Sequence, residues 1–124
     1  MATEQQVFDM SLEAADDYYT SSKQFYIVAL DTSKRAVLAG AADANTVGVL
    51  QNKPKQYQAA TVRRVGVTKI VCGDTVAIRA KLVPDSAGKA VTGTAGQRYC
   101  AVALEAGVSG RVISAIMEFG YVPT

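Results

Sequence analysis

Ser86 and Lys89 stand at the S-x-x-K spacing of serine acyl-enzymes, where a helix start holds the lysine against the hydroxyl. Here Pro84 and Gly88 surround the pair with turn chemistry, and the companion motifs are missing, so the stretch reads as a turn. Asp16-Asp17 is a carboxylate pair only in name, because sequence neighbours point apart on a helix or a strand. Gly93-x-x-Gly96 and Gly107-x-x-Gly110 have no following helix and no basic partner, which makes them turns rather than phosphate cradles. The chain contains no histidine and thus lacks the commonest general base and transition-metal ligand. Its two cysteines, Cys72 and Cys100, are expected as small buried thiols rather than a disulfide, and two sulfurs alone make a poor metal site. No enzyme activity, cofactor or metal is expected.

Charge is the more informative signal. The net charge is only +2, yet the chain up to Ser22 carries five acids (Glu4, Asp9, Glu13, Asp16 and Asp17) and no base, giving −5; the remainder holds thirteen bases against six acids, giving +7. An acidic leading segment of this kind can lie on a basic surface, whether its own, a sister subunit's or a partner's. The most basic stretch holds Lys53, Lys55, Arg63, Arg64 and Lys69, interleaved with one aromatic, Tyr57. A single-strand-binding barrel would pair such a groove with several stacking rings. A solvated strand face, or a docking surface for an acidic protein segment, fits one ring better, and a small nucleic-acid-binding β-barrel stands as the alternative reading.

The stretch from Val47 to Cys72 must position those cations. It reads as two strands joined by the polar elbow Asn52-Lys53-Pro54-Lys55-Gln56. In the second strand the apolar phase runs Val62, then Val65 and Val67, then Ile70 and Cys72, with flips at Arg63-Arg64 and Thr68-Lys69 and Gly66 between them. A bulge or sharp bend is expected there, with both polar pairs facing outward. Around it, strands are expected at Gln24 to Leu30, Ala36 to Leu38, Thr46 to Gln51, Thr75 to Leu82, Tyr99 to Leu104 and Arg111 to Glu118, with turns at 31–34, 83–89 and 93–96. Residues 9–19 are compatible with one or two helical turns capped by Ser11.

At 124 residues with 49% hydrophobic and 19% charged side chains, the chain fits one globular domain without staples. It has no apolar run of membrane-spanning length and no basic-then-apolar leader, so synthesis in a cytoplasm is expected. The reading is all-β: a compact small β-barrel, β-tulip-like or sandwich body over 23–124, an acidic arm and docking segment over 1–22, and at most one short helix. Removing residues 2–12 is expected to leave the stability of the body nearly unchanged.

Gly48-Val49-Leu50-Gln51-Asn52-Lys53-Pro54, Ala59-Ala60-Thr61-Val62, Gly66-Val67-Thr68-Lys69, Asp85-Ser86-Ala87-Gly88-Lys89 and Ala101-Val102-Ala103-Leu104-Glu105-Ala106 resemble, in that order, a family of small capsid decoration (cement) proteins of tailed bacteriophages. The resemblance covers about Phe25 to Met117. It implies a compact β body without a catalytic site, bound to the outer surface of the head and clamping major capsid subunits. It also implies a homo-oligomer, a trimer favoured, and a virion location after assembly in the host cytoplasm. Candidate capsid or neighbour contacts are Thr3, Glu4, Gln5, Gln6, Val7 and Phe8 on the arm, with Lys53, Lys55, Tyr57, Arg63 and Arg64 on the body.

Overall fold

The computed structural model describes residues 7–41 and 45–123. It contains ten strands and, among the described residues, no helix: β1 (Phe8–Ala14), β2 (Ile27–Leu30), β3 (Arg35–Leu38), β4 (Thr46–Leu50), β5 (Ala59–Val65), β6 (Val67–Val71), β7 (Lys81–Pro84), β8 (Ala90–Thr92), β9 (Arg98–Ala103) and β10 (Val112–Tyr121). The first five close into a barrel of order β1-β3-β2-β4-β5, and the last five form a sheet of order β6-β10-β9-β7-β8. The fold is all-β, as the strand and turn pattern requires.

Phe8–Ala14 is a strand and not the expected helical turn. Phe8, Met10, Leu12 and Ala14 alternate with Asp9, Ser11 and Glu13, and this period of two wins over a segment too short to hold a helix by itself. β1 pairs antiparallel with β5 from Phe8↔Val65 to Glu13↔Ala59, and parallel with β3 at Glu13↔Arg35 and Ala14↔Ala36. Truncation through Leu12 would therefore remove most of the strand that closes the barrel, so a loss of stability, rather than the unchanged body expected from the sequence, is predicted.

Two cores result from how β2 and β4 are buried on both faces. Val28 and Leu50 point into the barrel with Ala14, Ala36, Ala60, Val62 and Tyr18. Ile27, Ala29 and Val49 point the other way and pack against Ile70, Leu82, Cys100, Ala101, Ile113 and Ala115 of the open sheet. That double burial is why Ile27–Leu30 is a continuous apolar run rather than an alternating one. Three alanines leave room in the barrel for Tyr18, whose hydroxyl donates to the Ala36 carbonyl at 3.0 Å.

The bend inside Val47–Cys72 falls at one residue. Gly66 has φ +107°, open to glycine alone at little cost, and the chain leaves the barrel there to begin the second sheet. Of the two expected phase flips the first occurs, as a bulge: Val65 lies opposite Phe8 and Arg63 opposite Asp9, so Arg64 is the extra residue and Val65 comes to the Val62 side at the exposed end of the strand. The second does not, since Thr68, Ile70 and Cys72 point inward in unbroken alternation. Thr68 is thus buried, not outward as expected; its hydroxyl accepts from Gln51 Nε2 at 2.7 Å and donates to the Lys69 carbonyl at 2.9 Å.

Thr75–Leu82 is not one strand either. Val76 makes an isolated bridge to Gly107, Ile78 is 59% exposed, and Arg79 takes φ +71°, so pairing begins only at Lys81. Val83 and Pro84 belong to β7 rather than to the turn, which spans the segment before Ala90 and is held by Asp85 Oδ1 accepting from the Ala87 and Lys89 amides. The last strand, expected at Arg111 to Glu118, runs on through Gly120 and Tyr121. Cys72 and Cys100 are buried and free, as expected.

Candidate functional site

Where the ribbon bends from β5 into β6, the outer surface holds an open groove of about 500 Å³. Its floor and walls are Phe25, Gln51, Arg63, Val67, Thr68 and Lys69, with Ser114 from β10 across the sheet. Strand alternation puts Arg63, Val67 and Lys69 on this face. Arg63 is already engaged: Nε and Nη2 donate to the two Asp9 oxygens at 2.9 and 3.1 Å, and Nη1 donates to the Val67 carbonyl at 2.9 Å. The hydrogen bond to Asp9 holds the guanidinium pKa above its usual value. Among the described residues Lys69 has no such carboxylate, and its ammonium sits 5.8 Å from the Phe25 ring centre.

Phe25 adopts φ +69°, a costly conformation for a bulky side chain. The strain has a visible return: its N–H donates to the Leu50 carbonyl at 2.7 Å and its carbonyl accepts from Val71 N at 3.1 Å, so one residue ties the barrel to the second sheet. Gln51 reinforces the same seam, donating from Nε2 to the Val49 carbonyl at 3.0 Å as well as to Thr68.

The edge of β6 is capped almost everywhere. Cys72 N–H points to Arg111 beside β10, whereas Val71 N–H points away to Phe25 and Gly73 N–H to Ala90 of β8. Residues of one parity in a strand send both backbone groups to the same edge. Val67 and Lys69, in phase with Val71, therefore face the groove. The Val67 carbonyl is taken by Arg63 and the Lys69 carbonyl by Thr68. The N–H groups of Val67 and Lys69 lie on the same edge, turned away from β10.

The basic stretch does not form one surface. Lys53 and Lys55 extend from the elbow beside Tyr19, at 6.0 and 5.5 Å from its ring centre. Tyr18 N–H and Tyr57 N–H stitch that elbow to the Pro54 and Ala14 carbonyls. Tyr57 is 62% exposed with Arg35 over its ring. Asp17 lies against the same elbow; its pKa is held below the usual value first by the Thr20 amide, then by the Thr20 hydroxyl, with Lys55 adding a smaller pull. Arg64 turns elsewhere, donating to the Val47 carbonyl at 3.2 Å and stacking 4.5 Å from the Phe119 ring centre, which Arg98 approaches at 5.1 Å. Part of the acidic leading segment thus lies on the chain's own basic surface, through Asp9 and Asp17.

Of the arm residues, Val7 and Phe8 are exposed, the latter by 55%, at the end of β1 beside Val65. Thr3, Glu4, Gln5 and Gln6 lie outside the described residues. Phe25, Gln51, Thr68 and Ser114 were not among the contact residues expected from the sequence, although Thr68 was read there as part of an outward polar pair. The Gly66 bend located the place, but nothing in the types of those four residues marks a groove. Among the described residues no three His, Cys, Asp or Glu side chains gather as metal ligands.

No protein-family profile and no curated protein sequence matches the chain. By fold it is similar to the N base of the head fiber gp8.5 of bacteriophage phi29. The TM-score is 0.71 at 10% sequence identity, and the match covers 96% of this chain and 100% of that one. At that identity the likeness defines a shared all-β architecture over essentially the whole length of both chains.

Proposed function

We infer that the chain is a structural virion protein of a tailed bacteriophage, a capsid decoration or cement protein that binds the outer surface of the head and strengthens contacts between major capsid subunits. The observation that carries this reading is the end-to-end fold match with a head-fiber base, which covers 96% of this chain. The ordered run of sequence pieces resembling the decoration family points the same way. The physics of the body suits the role: two cores share β2 and β4, so the molecule is stiff, and its cationic elbow offers a contact surface. The partners are the major capsid protein and further copies of the chain, a trimer favoured. The arm residues Thr3 to Phe8 and the cations Lys53, Lys55, Arg63 and Arg64, with Tyr57, are the contacts to test. No catalytic step is assigned.

The test is binding of purified protein to expanded, DNA-free heads, read by co-sedimentation. Saturable binding is expected. Protein that ignores heads yet binds single-stranded oligonucleotides with a steep salt dependence would replace this reading with a nucleic-acid-binding barrel.

A further inference from the structure

The groove at the β5–β6 bend lies where β1 begins. Phe8 pairs with Val65, the residue before Gly66, and Asp9 holds the groove residue Arg63 through both carboxylate oxygens. The same guanidinium donates from Nη1 to the Val67 carbonyl at 2.9 Å, so one side chain spans from the start of β1 to the start of β6. The residues that lead into β1 therefore join the body beside the groove.

Charge narrows what the groove can hold. Its two cations are Arg63 and Lys69. Arg63 is met by Asp9 at 2.9 Å, whereas Lys69 has no carboxylate within reach among the described residues, and its ammonium sits 5.8 Å from the Phe25 ring centre. Gln51 and Ser114 add an amide and a hydroxyl to the lining. The complement of such a surface is a short polar segment with one acid. The chain carries one next to the groove: Ala2-Thr3-Glu4-Gln5-Gln6 has a single acid and no base.

We propose that residues 2–6 of the same chain lie in this groove in the free protein, with the Glu4 carboxylate against the Lys69 ammonium. Register and length both favour the pair. Glu4 stands four residues before Phe8 and Lys69 four residues after Val65, so a segment that follows the Gly66 bend in the register of β1 on β5 brings Glu4 level with Lys69. Residues directly opposite one another in such a pairing share a face. Each stretch covers about 13 Å, at about 3.3 Å per residue. The tether favours the chain's own segment over that of another copy: Glu4 is three residues from the paired Phe8, and so short a link holds its carboxylate near the bend at an effective concentration on the order of millimolar. The inference concerns the free protein and does not rest on head binding. It changes what the arm offers a partner, since Thr3 to Gln6 must leave the groove before another protein can take them.

The test is carbodiimide coupling of the unmodified protein, which joins a carboxylate to an amine only where the two touch. An equal mixture of unlabelled and isotope-labelled chains is coupled, digested and read by mass spectrometry. The expected product is a Glu4–Lys69 link between residues of one isotope, exceeding the link from Glu4 to Lys34, which is exposed on the β2–β3 turn, by about tenfold. Equal yields at Lys69 and Lys34 would overturn the proposal. Links that join the two isotopes would assign the groove to a second copy and overturn it as well. Neither outcome touches the head reading, which is decided by co-sedimentation.

Discussion

The barrel and the open sheet are each five strands, yet they end differently. β1 pairs with β3 on one side and β5 on the other, so the barrel has no free edge. The second sheet nearly closes as well, through one bridge between Cys72 and Ala90, but its β6 edge is capped piecemeal by Arg63, Thr68 and Phe25. The barrel achieves closure with a whole strand, and its weak point is where that strand is thinnest, the two-residue parallel seam to β3. The sheet achieves it with single side chains and a strained phenylalanine, and its weak point is the β6 edge that they cap. Closed backbone surfaces are inert, while patched ones leave donors where a partner can bind.

The largest expected effect would break this comparison at the barrel. Deleting residues 2–12 removes β1 pairing from Phe8 to Leu12 and should lower the melting temperature by more than about 10 °C, since 1 kcal/mol is worth about 4 °C in a domain of this size. Deleting residues 2–6 should leave it within about 2 °C. Equal melting temperatures for the two truncations would mean that β1 contributes nothing and that the barrel is closed without it.

β1 also shows what the sequence could have told. Phe8, Met10, Leu12 and Ala14 alternate cleanly with polar residues, but the segment sits among acids and beside Tyr18-Tyr19, and a capping serine made a helix equally readable. Conversely, Thr75–Leu82 alternates and is not a strand, because Arg79 takes a left-handed conformation that no residue type there announces. Turn chemistry at Asp85–Lys89 and the glycine bend at Gly66 were legible, since Asp, Pro and Gly act through the local backbone. The candidate groove was legible only as a place. Its residues Phe25, Gln51, Thr68 and Ser114 come from four segments, and their meeting depends on tertiary closure.

Core truncations sharpen the comparison next. Leu50 fills the barrel and Leu82 the layer between barrel and sheet, both fully buried. Each changed to alanine should cost about 2–5 kcal/mol in denaturant unfolding. Because β2 and β4 serve both cores, Leu50→Ala should also speed hydrogen exchange at the Ala101 amide in β9, although that strand does not touch the barrel interior. Unchanged exchange there would show two regions that unfold separately.

A smaller loss is expected at the barrel plug. Tyr18→Phe removes the hydroxyl that donates to the Ala36 carbonyl. That carbonyl keeps the Ala15 N–H, so nothing is left unpaired, and the cost should be about 0.5–1.5 kcal/mol in denaturant unfolding. A loss above that range would mean that the ring's packing among the three alanines depends on the hydroxyl.

The smallest effect separates the two regions by pH. On the barrel side, Asp17 and Asp31 have lowered pKa values, each held first by a backbone amide, from Thr20 and Arg35 respectively. Their stabilisation is present above the ordinary carboxylate value of 3.8 and is lost as pH falls through the lowered values. In the sheet, burial raises the Cys72 thiol and pushes Cys100 from 9.0 up to about 12. An unfolded chain releases those protons above pH 9 while the folded chain keeps them, so stability is full below 9 and falls as pH rises toward 12. Tyr18 and Tyr99, both raised from 10.0 chiefly by burial, steepen the fall at its upper end. Cys100→Ala should therefore flatten the decline of unfolding free energy between pH 8.5 and 10.5, by up to about 1.4 kcal/mol per pH unit once the unfolded thiol is ionised, and leave the acid limb unchanged. Asp31→Asn should do the reverse, changing the acid limb alone. If Cys100→Ala left the alkaline slope as it was, the native thiol would have to ionise as readily as a free one, and the tight layer between barrel and sheet would not exclude water.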